Sequence, residues 1–566
     1  MTKGYHVGPS RDLPSAPLWS LSIGEALAAL RSGALTASQL VEACIARAAA
    51  VEPCIHSYIH LAADEARRHA QALDGRPAAE RGLFGGIPFA VKATYDVAGM
   101  PSNAGSRLRS ARVPDADAAL VAQLRALGAV CLGQLNTWEF GTGNGGEYFD
   151  LPYPPARNPW DTARFTGGSS SGCGTSVAAG TALFALGSDT TGSVRLPASA
   201  TGVVGLIPTP GRFSLAGILP NCHSLDIPGS FTRTAHDAAT LFAALTLPDA
   251  GAAEPFAAGL AAQGLRGMRI AVLRDPGPGF PQADAALATG FDAALRTIEA
   301  LGAHCTAVRL PVAAAECFAV TRLIGPVESA AIHETELRTQ AAQMGFALRD
   351  KLLAGSLVRA VDYLAAQRRR AEIGEQIRAL LDGYDALVTF GSLHLPPLLG
   401  VEPAMTAFTV ETLLTPFNLS ASPALVQCTG YSETGLPLHW QIVGRQHREA
   451  DILRLAIAYE RATGWHTRLP EPQPHPPAPV ALVAPVADPL PPGAPALDEV
   501  AAFAARHGLA RLAPEHLHRL QQQVPAVAGF GSSLQRVTDK HRAPLAGPPT
   551  ASPVPPQRPE AADFPT

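Results

Sequence analysis

Charge is scarce in this 566-residue chain. Only 16% of its side chains are Asp, Glu, Lys or Arg, against 47% hydrophobic ones, which excludes a disordered or fibrous chain and leaves material for a large buried core. A basic excess is also missing. With 44 Lys and Arg against 48 Asp and Glu the formal charge is −4, too little positive field for nucleic-acid binding, so no nucleic-acid partner is favoured. No apolar run approaches the ~20 residues of a membrane helix, and Met1 to Ser20 mixes charges with prolines where a secretory signal would be apolar. Cysteine pairs are absent too: Cys44, Cys54, Cys131, Cys173, Cys222, Cys305, Cys317 and Cys428 are scattered without a C-x-x-C, which reads as buried free thiols. Together these absences predict a soluble, cytoplasmic protein with no membrane contact, no metal site and no cofactor.

Small residues are present in quantity, and two stretches concentrate them: Gly167-Gly168-Ser169-Ser170-Ser171-Gly172 and Ser188-Asp189-Thr190-Thr191-Gly192-Ser193-Val194-Arg195. The first alone reads equally as a flexible linker. Joined to the second, it supplies hydroxyl nucleophiles, bare backbone N–H donors and unusual backbone freedom, which acyl-transfer chemistry uses together. The segment between them, Cys173 to Gly187, is apolar and free of proline, and predicts one buried helix. Gly168 to Gly172 also fits the G-x-S-x-G nucleophile elbow with Ser170 at its centre. That elbow needs an acid and a histidine downstream, and none of His223, His236, His304 or His394 stands in a context that singles it out. Gly141 to Gly146 fits a dinucleotide fingerprint, but it leads into Tyr148-Phe-Asp-Leu-Pro-Tyr-Pro-Pro, which does not open a helix, and that reading is discarded.

Along the chain, helical spacing covers Leu21 to Ala50, with Thr36 as an N-cap, and Asp64 to Leu73. Gly85 to Lys92 then reads as a buried strand that ends on a lysine. Lys92 either reaches to solvent or is desolvated, and a desolvated lysine has a lowered pKa and can act as a base. A helix over Asp117–Leu127 and a strand over Ala129–Leu132 continue an α/β alternation. Further on come helices around Phe291–Leu301 and over Leu337–Leu381, and a strand at Tyr384–Thr389. Arg368 to Arg370 reads as a solvated helix face.

Four motifs carry a family likeness: Gly86-Ile-Pro-Phe-Ala-Val-Lys92, the Gly167 serine run, Gly187 to Ala198, and Gly202-Val-Val-Gly-Leu-Ile-Pro-Thr-Pro-Gly-Arg212. Thr415-Pro-Phe-Asn-Leu-Ser and Gly435 to Gly444 extend it. On these the chain resembles the amidase signature family, hydrolases of amide C–N bonds with a Ser–cis-Ser–Lys triad. The resemblance, which spans roughly residues 20 to 468, implies Ser193 as nucleophile, Ser169 as a bridging serine on a cis peptide, and Lys92 as the terminal base. Ser170, Asp189 and Arg195 become supporting residues, with Asp189 and Arg195 pairing to hold the turn. Backbone N–H groups of Thr190, Thr191 and Gly192 would form the oxyanion hole. Two departures stand out. Thr191 replaces a glycine of the family pattern and stiffens the turn, and Ala93-Thr-Tyr-Asp96 follows Lys92 where the family tends to show an Asp-Asn-type pair.

The expected architecture is α/β: a mixed twisted sheet covered by helices on both faces, plus a small C-terminal helical appendage. Residues 1–19 form an extension, 20–468 the catalytic domain, 469–495 a Pro/Ala-rich linker, 496–541 a small helical unit, and 542–566 a disordered tail. In the unit, Leu497, Val500, Phe503 and Ala504 form one apolar stripe and Leu517, Leu520 and Val524 a second, ended by Pro525. Two short helices bury little alone, so they are expected to dock on the main body or a second subunit. The linker would keep them clear of the catalytic motifs, so that their removal spares turnover. Three functions follow from the resemblance: an amidohydrolase of a small-molecule carboxamide or carbamoyl compound such as urea or biuret derivatives, similar to carboxybiuret and allophanate hydrolases; an amidotransferase A-type subunit of the Glu-tRNA(Gln) or Asp-tRNA(Asn) kind, with partner subunits; and a non-catalytic scaffold. A homo-oligomer or a small helical partner is compatible with the first two.

Overall fold

The computed structural model describes residues 16–142, 150–474, 490–534 and 536–538. The Gly141–Gly146 fingerprint, most of the linker and N-terminal extension, and the tail lie wholly or largely outside them.

Helices open the described chain because their caps and stripes agree. Ser22 and Thr36 each accept a hydrogen bond from the third residue of the helix they precede, starting Ile23–Ser32 and Ala37–Ile55. The strands are β1 (Tyr58–Leu61), β2 (Pro88–Lys92), β3 (Val130–Leu135), β4 (Phe184–Asp189), β5 (Val204–Ile207), β6 (Ile227–Thr232), β7 (Arg269–Leu273), β8 (His304–Val308), β9 (Ala386–Thr389), β10 (Ala424–Tyr431) and β11 (Pro437–Val443). Among the described residues they form one sheet in the order β1-β3-β2-β4-β6-β5-β10-β11-β9-β7-β8. It is mixed: β2 runs parallel to β3 and β4, and β7 to β8 and β9, while the centre is antiparallel. Every residue of β2, β3, β5, β6, β9 and β11 is buried, as expected for strands covered by helices on both faces. Lys92 and Asp189 end neighbouring parallel strands, so both project at the same edge of the sheet.

Several expectations change. Cys173 to Gly187 is not one helix: Ser171–Ala179 is helical, Gly180 turns the chain with a φ of 79°, and the rest feeds β4. Arg369 and Arg370 are not solvated. Their helix, Ala360–Leu381, packs on Ala314–Ile332, where Arg369 meets Glu316 (2.8 Å) and Glu372 (2.6 Å) and Arg370 donates to the Ser224 carbonyl (2.6 Å). Pro525 does not end its helix, which runs from Pro514 to Ser533, because Phe530 and Leu534 beyond it pack on the main core.

The C-terminal unit docks on the body. Val500, Ala504, Leu509, Leu512 and Leu520 share a core with Leu337, Met344, Leu348, Leu352 and Leu353, so Leu497–Arg506 and Pro514–Ser533 cover the Phe346–Leu357 helix. Arg519 forms an ion pair with buried Asp350 and lies 4.5 Å over the Phe346 ring. Leu497 stays exposed. The unit therefore rests on a helix that also lines the cavity described next.

Candidate active site

Lys92 reaches the end of β2 with no route to solvent. Its Nζ lies 2.7 Å from Ser169 Oγ and 3.0 Å from Ser188 Oγ, and burial brings its pKa down to about 8, against the smaller opposing pull of Cys173, Asp226 and Asp189. Ser169 is fixed through its own carbonyl, which accepts from Trp138 N (3.2 Å) and Thr137 Oγ1 (3.0 Å). The Gly168–Ser169 peptide is cis. Glycine is required at 168 because a Cβ there would stand 2.1 Å from the Trp138 ring. Of the residues after Lys92, Tyr95 donates to the Gly187 carbonyl (2.6 Å) and Asp96 pairs with Arg112 (2.7 Å).

The second serine stretch forms a turn organised by Asp189. Its carboxylate accepts from Gly192 N (2.7 Å) and Val194 N (3.1 Å), and from Arg195 Nη2 (3.0 Å) and Nε (3.1 Å). Burial alone would raise this acid, but Arg195, Asn418 and the backbone donors outweigh it and hold it below its ordinary value. Arg195 spends its remaining donors on Leu414 O (3.0 Å), Gln441 Oε1 (2.7 Å) and Asn418 Oδ1 (2.6 Å). Gly192 sits at a φ of 130°, where L side chains are strained, and a Cβ there would meet Leu414 at 2.7 Å. The Gly192 amide is thus engaged by Asp189, while those of Thr190, Thr191 and Ser193 have no protein partner among the described residues.

Ser193 lines a cavity of about 90 Å³ together with Thr190, Thr191, Gly192, Gly141 and Gly168. A Cβ on Gly141 would come within 3.3 Å of Ser169 Oγ and 3.6 Å of Lys92 Nζ, so Ser169 and Lys92 lie just behind that wall. Ser170 donates its backbone N–H to the Ser193 carbonyl (3.2 Å), which ties the two stretches together. The Ser170 hydroxyl itself donates to the Ser188 carbonyl (3.2 Å) and accepts from Ser188 N (3.4 Å), with no histidine partner among the described residues. Sequence reasoning missed other residues that line the cavity: Asn221, Phe318, Thr321, Arg322 and Lys351.

The model of the family described as "Amidase" matches residues 39–453 of this chain. The chain belongs to the amidase family. The A-type subunit from the glutamyl-tRNA(Gln) amidotransferase of Symbiobacterium thermophilum is 33% identical over 477 residues, covering 78% of this chain and 96% of that relative. Among solved structures, an inhibitor-bound vestigial protein complex bearing on the evolutionary origins of an s-triazine catabolic enzyme matches with a TM-score of 0.71 and 30% identity, over 80% of this chain and 100% of that one. A protein described as an amidase matches with a TM-score of 0.70 and 30% identity over 78% of this chain and 99% of its own. The chain is α/β, and the family acts on amide C–N bonds. No described helix is long and apolar enough to cross a membrane.

Proposed function

We propose that this amidase hydrolyses a carboxamide through an acyl-enzyme on Ser193. The observation that carries the reading is the 2.7 Å contact between a buried, pKa-lowered Lys92 and Ser169, at the edge of the cavity that Ser193 lines. Neutral Lys92 accepts the Ser169 proton as Ser169 accepts that of Ser193, and Ser193 Oγ attacks the amide carbonyl. The amides of Thr190, Thr191 and Ser193 are the donors available to the oxyanion, while Gly192 N–H stays with Asp189. Returning the proton by the same path lets the amine leave, and water then releases the acid. Asp189, Arg195 and Ser170 hold the turn.

The relatives favour one destination for the ammonia. A-type subunits of glutamyl-tRNA(Gln) amidotransferases from several bacteria match this chain over nearly their whole length, which supports an A-type subunit that works with partner subunits. The solved amidase neighbour supports instead a hydrolase acting by itself on a small amide. Ammonia release from a panel of amides by the purified chain separates them. Turnover without any partner supports the hydrolase, turnover only after adding amidotransferase partner subunits supports the A-type reading, and no ammonia in either case contradicts both and leaves a scaffold.

A further inference from the structure

The two halves of the candidate site meet at one side chain that neither serine stretch contains. Asn221 Nδ2 donates to Thr190 Oγ1 (3.1 Å), on the turn that leads into Ser193, and to the Gly141 carbonyl (3.3 Å), on the wall in front of Ser169 and Lys92. Both amide hydrogens are thereby spent on the site. Thr190 in turn donates to Asp226 Oδ1 (2.7 Å), and the other oxygen of that carboxylate accepts from Asn221 N (2.8 Å), which closes a ring of hydrogen bonds around Thr190. The orientation of the amide is set from behind. Burial lowers the Lys351 pKa to about 8, so near neutral pH its ammonium only donates, and its Nζ lies 2.6 Å from Asn221 Oδ1. That oxygen therefore faces Lys351, and the amide nitrogen faces the site. Ser329 Oγ holds the Asn221 main chain by donating to its carbonyl (2.6 Å). The Phe346–Leu357 helix that carries Lys351 is fixed at its start as well, because Gly345 N donates to Glu139 Oε2 (2.8 Å), just ahead of Gly141 in the chain.

We propose that Asn221, oriented by Lys351, is a positioning residue that sets the spacing between the Ser193 turn and the Gly141 wall, and with it the alignment of Ser193 with Ser169. Its effect on rate passes through Thr190 and Gly141, and neither Asn221 nor Lys351 joins the proton path. A carboxamide suits this place because it accepts on one side and donates twice on the other, whereas an aliphatic side chain of similar size does neither and a carboxylate cannot donate. The consequence for rate rests on the reading of Ser193 given above; the spacing does not.

Full-length variants separate positioning from a plain structural or substrate-binding role. Asn221→Leu removes every polar contact of the side chain, Asn221→Asp keeps an acceptor for the Lys351 ammonium but has no N–H for Thr190 or Gly141, and Lys351→Met removes the donor that orients the amide. With an amide that the wild type turns over, kcat should fall roughly 10- to 100-fold in all three, the scale of an ångström-sized displacement in a site, with KM nearly unchanged. Lys351→Met placed in the Asn221→Leu background should cost nothing more, since the two residues act in series. Wild-type kcat in Asn221→Asp, a rise in KM that accounts for the loss in Lys351→Met, or full additivity in the double variant would overturn the proposal. Hydrogen–deuterium exchange read by mass spectrometry follows the spacing without turnover: peptides covering 139–142 and 188–195 should exchange roughly tenfold faster in Asn221→Leu, the scale of lost buried hydrogen bonds, with β2 and β10 unchanged. Exchange equal to wild type in both peptides would overturn the spacing. Should Asn221→Leu exchange faster throughout, Thr190→Val removes the same bond from the turn side and is read in the same way. Faster exchange in those two peptides, with no amide turned over by the wild type, would remove the hydrolytic reading and leave the positioning. Wild-type turnover with kcat and exchange unchanged in the variants would do the reverse.

Discussion

Lys92 carries the cost and the use of a buried amine at once. Its proton is held with a pKa near 10.4 in an unfolded chain and about 8 in the fold, so below pH 8 both states are protonated and burial costs the folded state about 3 kcal/mol. That cost fades as pH rises from about 8 to 10.4, where the unfolded chain alone still binds the proton. Lys92→Met removes it together with the contacts to Ser169 and Ser188, worth about 1 kcal/mol each. The variant should therefore gain about 1 kcal/mol of stability at pH 7 in urea melts while losing turnover. The same pKa predicts that kcat/KM climbs with pH through about 8 and holds above it, in a stopped assay corrected for ammonia ionisation. A profile falling above pH 8 would contradict a neutral lysine base. Ser169→Ala and Ser193→Ala should each cost several orders of magnitude, whereas Ser170→Ala, which removes only the tie to Ser188, should cost less.

At the scale of elements, the turn after β4 stays in place because Asp189, Arg195 and Asn418 satisfy one another without solvent. Arg195→Ala leaves a buried carboxylate uncompensated and should lower stability by about 3–5 kcal/mol in denaturant melts, with Asn418→Ala costing less. The C-terminal unit invites a deletion. Read from sequence, Pro470 to Pro495 separates it from the catalytic motifs and its loss spares turnover. In the structure it covers Leu348, Leu352 and Leu353 and neutralises Asp350, next to the cavity residue Lys351. Ending the chain at residue 474 should then lower kcat/KM roughly 10- to 100-fold, the scale of an ångström-sized displacement in a site. Unchanged kinetics in a folded truncated protein would show that this helix holds its place unaided.

Across the whole molecule, what could be read from the sequence follows how tightly chemistry constrains residue type. Gly168 beside Trp138, Gly192 at its positive φ and the lysine at the end of β2 admit few substitutes, so the motifs around them announce both the α/β fold and the serine-lined edge of the sheet. Asn221, Arg322 and Lys351 lie on a loop and two helices of ordinary polar and apolar mixture, and only tertiary packing turns them to one cavity. Arg369 and Arg370 show the same limit in reverse: three consecutive arginines look solvent-facing until Glu316 on the neighbouring helix and the Ser224 carbonyl take in two of them.

The assignment of the acyl-bearing serine is the claim on which the rest depends, and an active-site-directed fluorophosphonate tests it most directly. With the wild-type, Ser193→Ala and Ser170→Ala proteins labelled near pH 8.5 and digested, peptide mass spectrometry should place the adduct on Ser193 in the wild type, keep it there in Ser170→Ala, and find none in Ser193→Ala. An adduct on Ser170, or amide turnover that survives in Ser193→Ala, would contradict the account.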